Sequence, residues 1–196
     1  SFGWWLAVFL VVQAAMYRWN DRHLDPGIQR RLARLLAVFI AASLYLVAVY
    51  HLTNLYFARQ GAFEAFILRD GGIYPLLFWL GYVGLGSVLP LVLLFHPRLA
   101  GERATLAAAG LVVLGALAWL FVFIIGGQAF PLEIFPGHVV SSSFSDGAVA
   151  AYTPSWPEAL LSLGGVGAAF VLTVVGVRVL DFMPQDDLAG AASQQG

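Results

Sequence analysis

Cysteine is absent from the 196 residues, which excludes disulfides, thiolate metal sites and any iron–sulfur cluster held by this chain's own sulfur. Lysine is absent too. The ten basic residues are all Arg, so no phosphate-cradling loop ending in Lys exists. Charge of either sign is scarce: Asp, Glu, Lys and Arg make up 11% of the chain, against about 25% in an ordinary soluble domain. That balance excludes a soluble globular class, and a net charge of −1 with no basic stripe excludes nucleic acid as a partner. What is abundant is apolar length, 60% of the residues. Five bilayer crossings of ~20–23 residues need roughly 100–115 residues, close to what that apolar share supplies. The composition predicts an all-α, polytopic transmembrane helix bundle of about five spans in the lipid bilayer.

Hydropathy places the spans at about 2–17, 35–57, 73–95, 104–125 and 156–180, within one transmembrane helical domain over 1–184. Residues 185–196 are small and polar and read as a disordered tail. The first stretch starts at Ser1 without an initiator Met or a basic leader and is short for a crossing, so the chain is expected to begin inside a longer protein. Arg18 to Arg34 reads as a polar connection with a turn at Pro26-Gly27, and Arg59 to Gly72 as a short amphipathic link. Pro90 is expected to kink the third span, and Gly126-Gly127 to close the fourth. Ser155-Trp156-Pro157-Glu158 has the pattern of a capping box that opens the fifth. Gly81, Gly84 and Gly86 with Ser87, and Gly164-Gly165 with Ala168-Ala169, form small-residue faces suited to close helix contact.

Cytoplasmic loops retain Arg. Arg18, Arg22, Arg30, Arg31, Arg34, Arg98, Arg103 and Arg178 fall on one side of the predicted topology, and only Arg59 and Arg69 on the other. The bias puts the links Arg59–Gly72 and Gln128–Pro154 outside and the C-terminus in the cytoplasm.

Polar side chains inside a membrane are costly, so their positions inform. They concentrate in the outer half of the second span, where Tyr50 and Asn54 lie at i and i+4 and His51 and Asn54 at i and i+3, on one broad face. That face suits the headgroup of a membrane-dissolved ligand; the structural alternative is a histidine bonded only to a neighbouring helix. Glu64, Arg69, Asp70, Gln128, Glu133 and His138 lie in the adjoining outer links, where Asp70 can equally cap a helix or pair with Arg69. No metal-ligating spacing occurs, and His51 has no second intramembrane histidine with which to hold a haem.

Several segments together resemble one family. Gly126-Gly127-Gln128, Pro131-Leu132-Glu133 and Pro136-Gly137, in order, resemble the signature of the NrfD / polysulfide reductase membrane-subunit family. Asp146-Gly147, Tyr152-Thr153-Pro154-Ser155 with Glu158, and Leu163-Gly164 with Gly167 look like its continuation. His51-Leu52-Thr53-Asn54-Leu55-Tyr56 and Phe66 through Tyr74 resemble an earlier part. The similarity spans about Tyr50 to Leu180 and is nearest the branch with the hydrogenase-2 type and DsrP-type subunits. Family members have roughly eight to ten helices by the same span arithmetic, so the chain reads as a C-terminal portion.

The resemblance implies an integral membrane subunit of a respiratory oxidoreductase complex in a bacterial or archaeal cytoplasmic membrane. Such a subunit is non-autonomous and quinone-reactive. It exchanges electrons between the quinone pool, menaquinone or ubiquinone, and an extracytoplasmic ferredoxin-like iron–sulfur subunit, with no haem or cluster of its own. In that role His51, with Asp70 or Glu133 as proton relay, is catalytic, and Tyr50, His51, Asn54 and Gln128 bind the quinone; no metal is expected. The loop Pro131–Pro154 would dock the iron–sulfur subunit. The alternatives are an ion- or solute-translocating subunit, which should carry midplane polar residues on broken helices, or a structural anchor. The topology is testable by reporter fusion: an enzyme active only outside the cytoplasm works when fused within Arg59–Gly72 and is silent within Pro97–Arg103. The opposite pattern inverts the assignment.

Overall fold

A computed structural model describes residues 2–19, 26–96, 101–131 and 147–179, all helix, turn or extended connection, with no strand among the described residues. Four helices are long and apolar enough to cross a bilayer, and a shorter apolar helix precedes them, so the chain is a polytopic helical membrane protein. It divides into two compact units, Ser1–Ala151 and Tyr152–Gly196.

In the first unit, α1 (Phe2–Trp19) and α2 (Pro26–Tyr56) come first. The 31 residues of α2 span roughly 46 Å at ~1.5 Å each, more than the ~30 Å of bilayer hydrocarbon. Its first turns are the Arg30, Arg31 and Arg34 segment that reads as a connection in the sequence. Pro26 lacks an N–H only where a helix has no use for one, and arginine is a good helix former, so that polar segment starts the helix instead of interrupting it. The helix stops at Phe57, whose backbone is extended. A short 3-10 turn then leads into α3 (Gly61–Ala65), which packs back against α2 and runs on as a π turn to Asp70. Two glycines close this link. A side chain at Gly71 would collide with the Phe66 carbonyl, which accepts the Gly71 N–H at 2.8 Å, and Gly72 has a φ of +64°.

Helix α4 (Ile73–Phe95) and helix α5 (Glu102–Ala129) pack along each other. π-type bonding runs over Leu77–Val88, just before Pro90, with the Leu89 N–H on the Gly84 carbonyl. The two helices cross where Gly86 meets Gly115: a Cβ on Gly86 would lie 2.5 Å from the Gly115 Cα. Gly81 faces Ala118 at the same crossing. Lipid offers no hydrophobic drive for helix association, so such backbone approach supplies the contact instead. The Gly126-Gly127 pair does not end α5. Both residues are helical and the helix continues to Ala129. Gly126 is small because Ile67 and Tyr74 press on it, 2.9 and 3.1 Å from where a Cβ would stand.

These contacts make two cores of different character. One is aliphatic: Ala7 and Leu10 of α1, Leu36 and Ile40 of α2, Ala109 and Val112 of α5. The other is largely aromatic, with Ile67, Tyr74, Phe78, Tyr82, Val122 and Ala129 buried and Phe63, Phe66 and Trp119 against them.

In the second unit, α6 (Trp156–Val179) begins with one of the two bonds of the capping box that the sequence spells: Glu158 reaches back to the Ser155 N–H at 3.0 Å. The Tyr152 hydroxyl donates to the same carboxylate at 2.8 Å, and that bond raises the phenol above its ordinary range. The tail 185–196 lies outside the described residues, as do residues 132–146, His138 among them.

The crossing predicts an asymmetry between glycines of α5. Gly115→Val should cost about 1–3 kcal/mol or more by overpacking. Gly110→Val, where nothing stands within 4 Å of a Cβ, should cost at most a few tenths. Unfolding of the purified protein in mixed micelles measures both; equal losses would mean that the Gly86–Gly115 contact does not hold the pair.

Candidate functional site

His51 lies little more than one turn before the end of α2, and the return of the chain through α3 brings Glu64 over it. The His51 Nδ1 is 2.6 Å from Glu64 Oε2, and the Asn54 side-chain amide donates to Glu64 Oε1 at 2.8 Å. Glu64 is fully buried, and His51 is 7% exposed. A carboxylate out of water is costly unless its oxygens are bonded. Here each oxygen has a partner, and the 2.6 Å contact has the length of a charge-assisted bond. When Glu64 is ionised its oxygens only accept, so Nδ1 carries a hydrogen, and in the neutral ring it is then Nε2 that presents the lone pair.

Nε2 is buried and has no hydrogen-bond partner. Aromatic edges surround the ring: Phe78 at 4.9 Å, Tyr50 at 5.2 Å and Trp119 at 5.9 Å between centroids, all near perpendicular. Trp119 stacks on Phe123 at 5.6 Å, and Tyr50 meets Phe123 edge-on at 6.2 Å. Tyr50 and Phe123 are exposed. The site is therefore a carboxylate-oriented imidazole with one nitrogen free, walled by rings of which Tyr50 and Phe123 are exposed.

His51, Asn54 and Tyr50 thus come together as the helical spacing suggests. Asp70 does not join them. It is exposed and bonded to Arg69 at 2.9 and 3.3 Å, and this bond raises the Arg69 guanidinium above its ordinary range. Gln128 is exposed on the last turn of α5, and Glu133 lies outside the described residues. Among the described residues no cluster of three metal-ligating side chains occurs. Glu64 is the member that pattern reading passes over. Its signal was available: no Arg stands at its i±3 or i±4 positions, which are Gln60, Gly61, Ile67 and Leu68, so an acid in this apolar turn needed a partner from another helix.

Known proteins resemble this sequence. The family described as polysulphide reductase, NrfD, matches residues 1–132. The match takes in His51, Asn54 and Glu64 and ends before Glu133. The chain is similar to an Hdr-like menaquinol oxidoreductase integral membrane subunit from Archaeoglobus fulgidus, 29% identical over 173 residues, covering 86% of this chain and 43% of that protein. It is also similar to a Halobacterium salinarum protein named as a membrane subunit of dimethyl sulfoxide reductase, 27% identical over 186 residues, 89% of this chain and 42% of that protein. The chain thus spans less than half the length of either relative. No solved structure matches.

If Glu64 is what holds His51 and Asn54, its substitutions should separate by chemistry. Glu64→Leu strands the buried His51 and the half-buried Asn54 and should cost about 3–5 kcal/mol. Glu64→Gln keeps an acceptor and a donor in place and should cost less than half of that. Unfolding in mixed micelles decides; equal costs would show that size alone matters at this position.

Proposed function

Because the chain belongs to the NrfD polysulphide reductase family, we propose that it is the quinone-reactive part of a membrane subunit in an oxidoreductase complex. In this role it passes electrons between the quinone pool and an extracytoplasmic iron–sulfur subunit. The observation that carries the reading is the His51 Nε2: buried, unpartnered, held in orientation by Glu64, and bordered by rings of which Tyr50 and Phe123 are exposed. A ligand dissolved in the bilayer can reach such a group, and a quinol hydroxyl is a donor that fits it.

Oxidation of a quinol to a quinone releases two electrons and two protons. Nε2 accepts the first proton as the electrons leave for the iron–sulfur partner. The imidazole then shares its Nδ1 hydrogen with Glu64 across 2.6 Å. From a neutral imidazole and an ionised carboxylate, the pair thereby takes up the first of the two protons, and the second, released from the other quinol oxygen, leaves by a route outside this pair. Asn54 fixes the far carboxylate oxygen, so proton uptake by His51 does not require Glu64 to reorient. We give the relay role to Glu64, which touches His51, in place of Asp70. Tyr50 and the Trp119–Phe123 stack offer faces for the quinone ring. The Arg distribution supports an outer position for this site in a bacterial or archaeal cytoplasmic membrane, with the C-terminus inside. The name of the Archaeoglobus relative supports menaquinol as the substrate. A translocation path would call for ionisable side chains at the bilayer centre, and the buried ionisable pair described here, His51 and Glu64, lies near one end of α2.

In the assembled complex, His51→Ala and Glu64→Gln should each lower quinol-linked electron transfer by about 10²–10⁴-fold, the size of a general-base contribution, with the complex still assembled. Asp70→Asn should keep more than half of the rate. Steady-state turnover with a quinol substrate measures all three; near-normal rates for the His51 and Glu64 variants would refute the assignment.

A further inference from the structure

The link between α2 and α4 is fastened to three helices. Of residues 58–72 the two buried ones are Glu64 and Ile67. They stand three residues apart in a helical turn, about 5 Å along its axis at ~1.5 Å per residue. Glu64 bonds to the end of α2, at His51 and Asn54. Ile67 enters α5 at Gly126: its Cδ1 is 2.9 Å from where a Cβ on that glycine would stand, and the Tyr74 ring is 3.1 Å from the same point. One residue on, the Leu68 carbonyl accepts the indole N–H of Trp79, on α4, at 3.0 Å.

The first fastening is the one most sensitive to position. His51 Nδ1 and Glu64 Oε2 are 2.6 Å apart, and a retreat of about 1 Å takes that contact beyond hydrogen-bond length. The backbone of the link cannot keep such a tolerance by itself, because a five-residue helix running into a π turn has few internal bonds. The other two fastenings can. Ile67 is 2% exposed and stiff at χ1, so a carbon added at residue 126 pushes on the backbone three residues from Glu64.

Resting on the quinone reading above, in which His51 and Glu64 take up the first proton, we infer that Ile67, seated against Gly126, and Trp79 are positioning residues for that step. Both act through Glu64. The Gly126 notch sets how closely the link approaches α5, and the indole bond ties the following residue to α4. Together they hold the carboxylate within bonding distance of Nδ1. Their contribution is to the rate of proton uptake at His51 and not to the binding of the quinol. Gly126 is therefore small for a reason beyond packing: a side chain there moves a carboxylate that belongs to a different helix.

The test is a double-mutant cycle on steady-state quinol turnover in the assembled complex, each rate divided by the amount of complex present. Gly126→Ala places a methyl against the Ile67 Cδ1 and should lower kcat about ten- to hundredfold, the effect of a misplacement near 1 Å, with KM little changed. Adding Ile67→Val removes that same carbon and should restore kcat to within about threefold of native. In a Glu64→Gln background, Gly126→Ala should change kcat by less than about twofold, because the group it displaces is no longer a proton acceptor. Gly127→Ala, where nothing stands within 4 Å of a Cβ, controls for the added methyl on α5 and should leave the rate unaltered. Trp79 is 52% exposed, so Trp79→Phe spares the fold; it should lower kcat about three- to tenfold by loss of one hydrogen bond, again only while Glu64 is present, and it decides the matter if Gly126→Ala does not assemble. Native kcat in Gly126→Ala and Trp79→Phe, no recovery with Ile67→Val, or equal losses with and without Glu64 overturns the positioning role. His51→Ala separates that failure from the parent reading: slow turnover in His51→Ala beside native turnover in Gly126→Ala removes only the role of Ile67 and Trp79, whereas native turnover in His51→Ala removes the quinone reading itself.

Discussion

A fully buried carboxylate shared between a histidine and an asparagine is the interaction on which the site depends. Glu64 cannot face lipid or water at its position, so its two oxygens fix the rotamers of His51 and Asn54, and with them the direction in which Nε2 looks. The pairing also explains the shape of the link between α2 and α4. A five-residue helix continuing into a π turn is poorly stabilised by its own hydrogen bonds. The contact of Glu64 with the end of α2 and the burial of Ile67 hold it in place.

Packing supplies the rest. Where α4 and α5 cross, glycine meets glycine, and the backbones come closer than larger side chains would permit. Toward one side of that crossing the core is aliphatic and fills space; toward the other it is aromatic and surrounds the imidazole. Aromatic edges tolerate a polar nitrogen better than aliphatic walls do, because their rims carry partial positive charge and their faces partial negative charge. The π stretches in α4 and α5 lie within these aromatic segments, where a departure from regular bonding re-aims Phe78, Tyr82 and the turns beside Trp119.

How much of this the sequence discloses depends on how far each feature reaches along the chain. Spans show in hydropathy because lipid acts on every residue of a helix. The Ser155–Glu158 cap shows because its donor and acceptor are three residues apart. The shared face of His51 and Asn54 shows because helical periodicity fixes it. The partner of that face did not show: Glu64 reaches His51 only through the reversal at Phe57–Gly61, which no periodicity encodes. Gly126-Gly127 has the look of a helix stop, yet Gly126 is small to receive Ile67 and Tyr74, and only the packed helices reveal which reason applies. Asp70 has the right charge in the right link, but the neighbouring Arg69 draws it to the surface.

The proposed chemistry turns on what occupies the space next to one nitrogen atom. A density map of the assembled complex with a tight-binding quinol analogue tests this most directly. The expected map has the analogue's ring against Phe78 and Trp119, with an oxygen within hydrogen-bond distance of the His51 Nε2 and Glu64 still on Nδ1. A headgroup bound elsewhere, with Nε2 satisfied by a side chain of another helix, would contradict it.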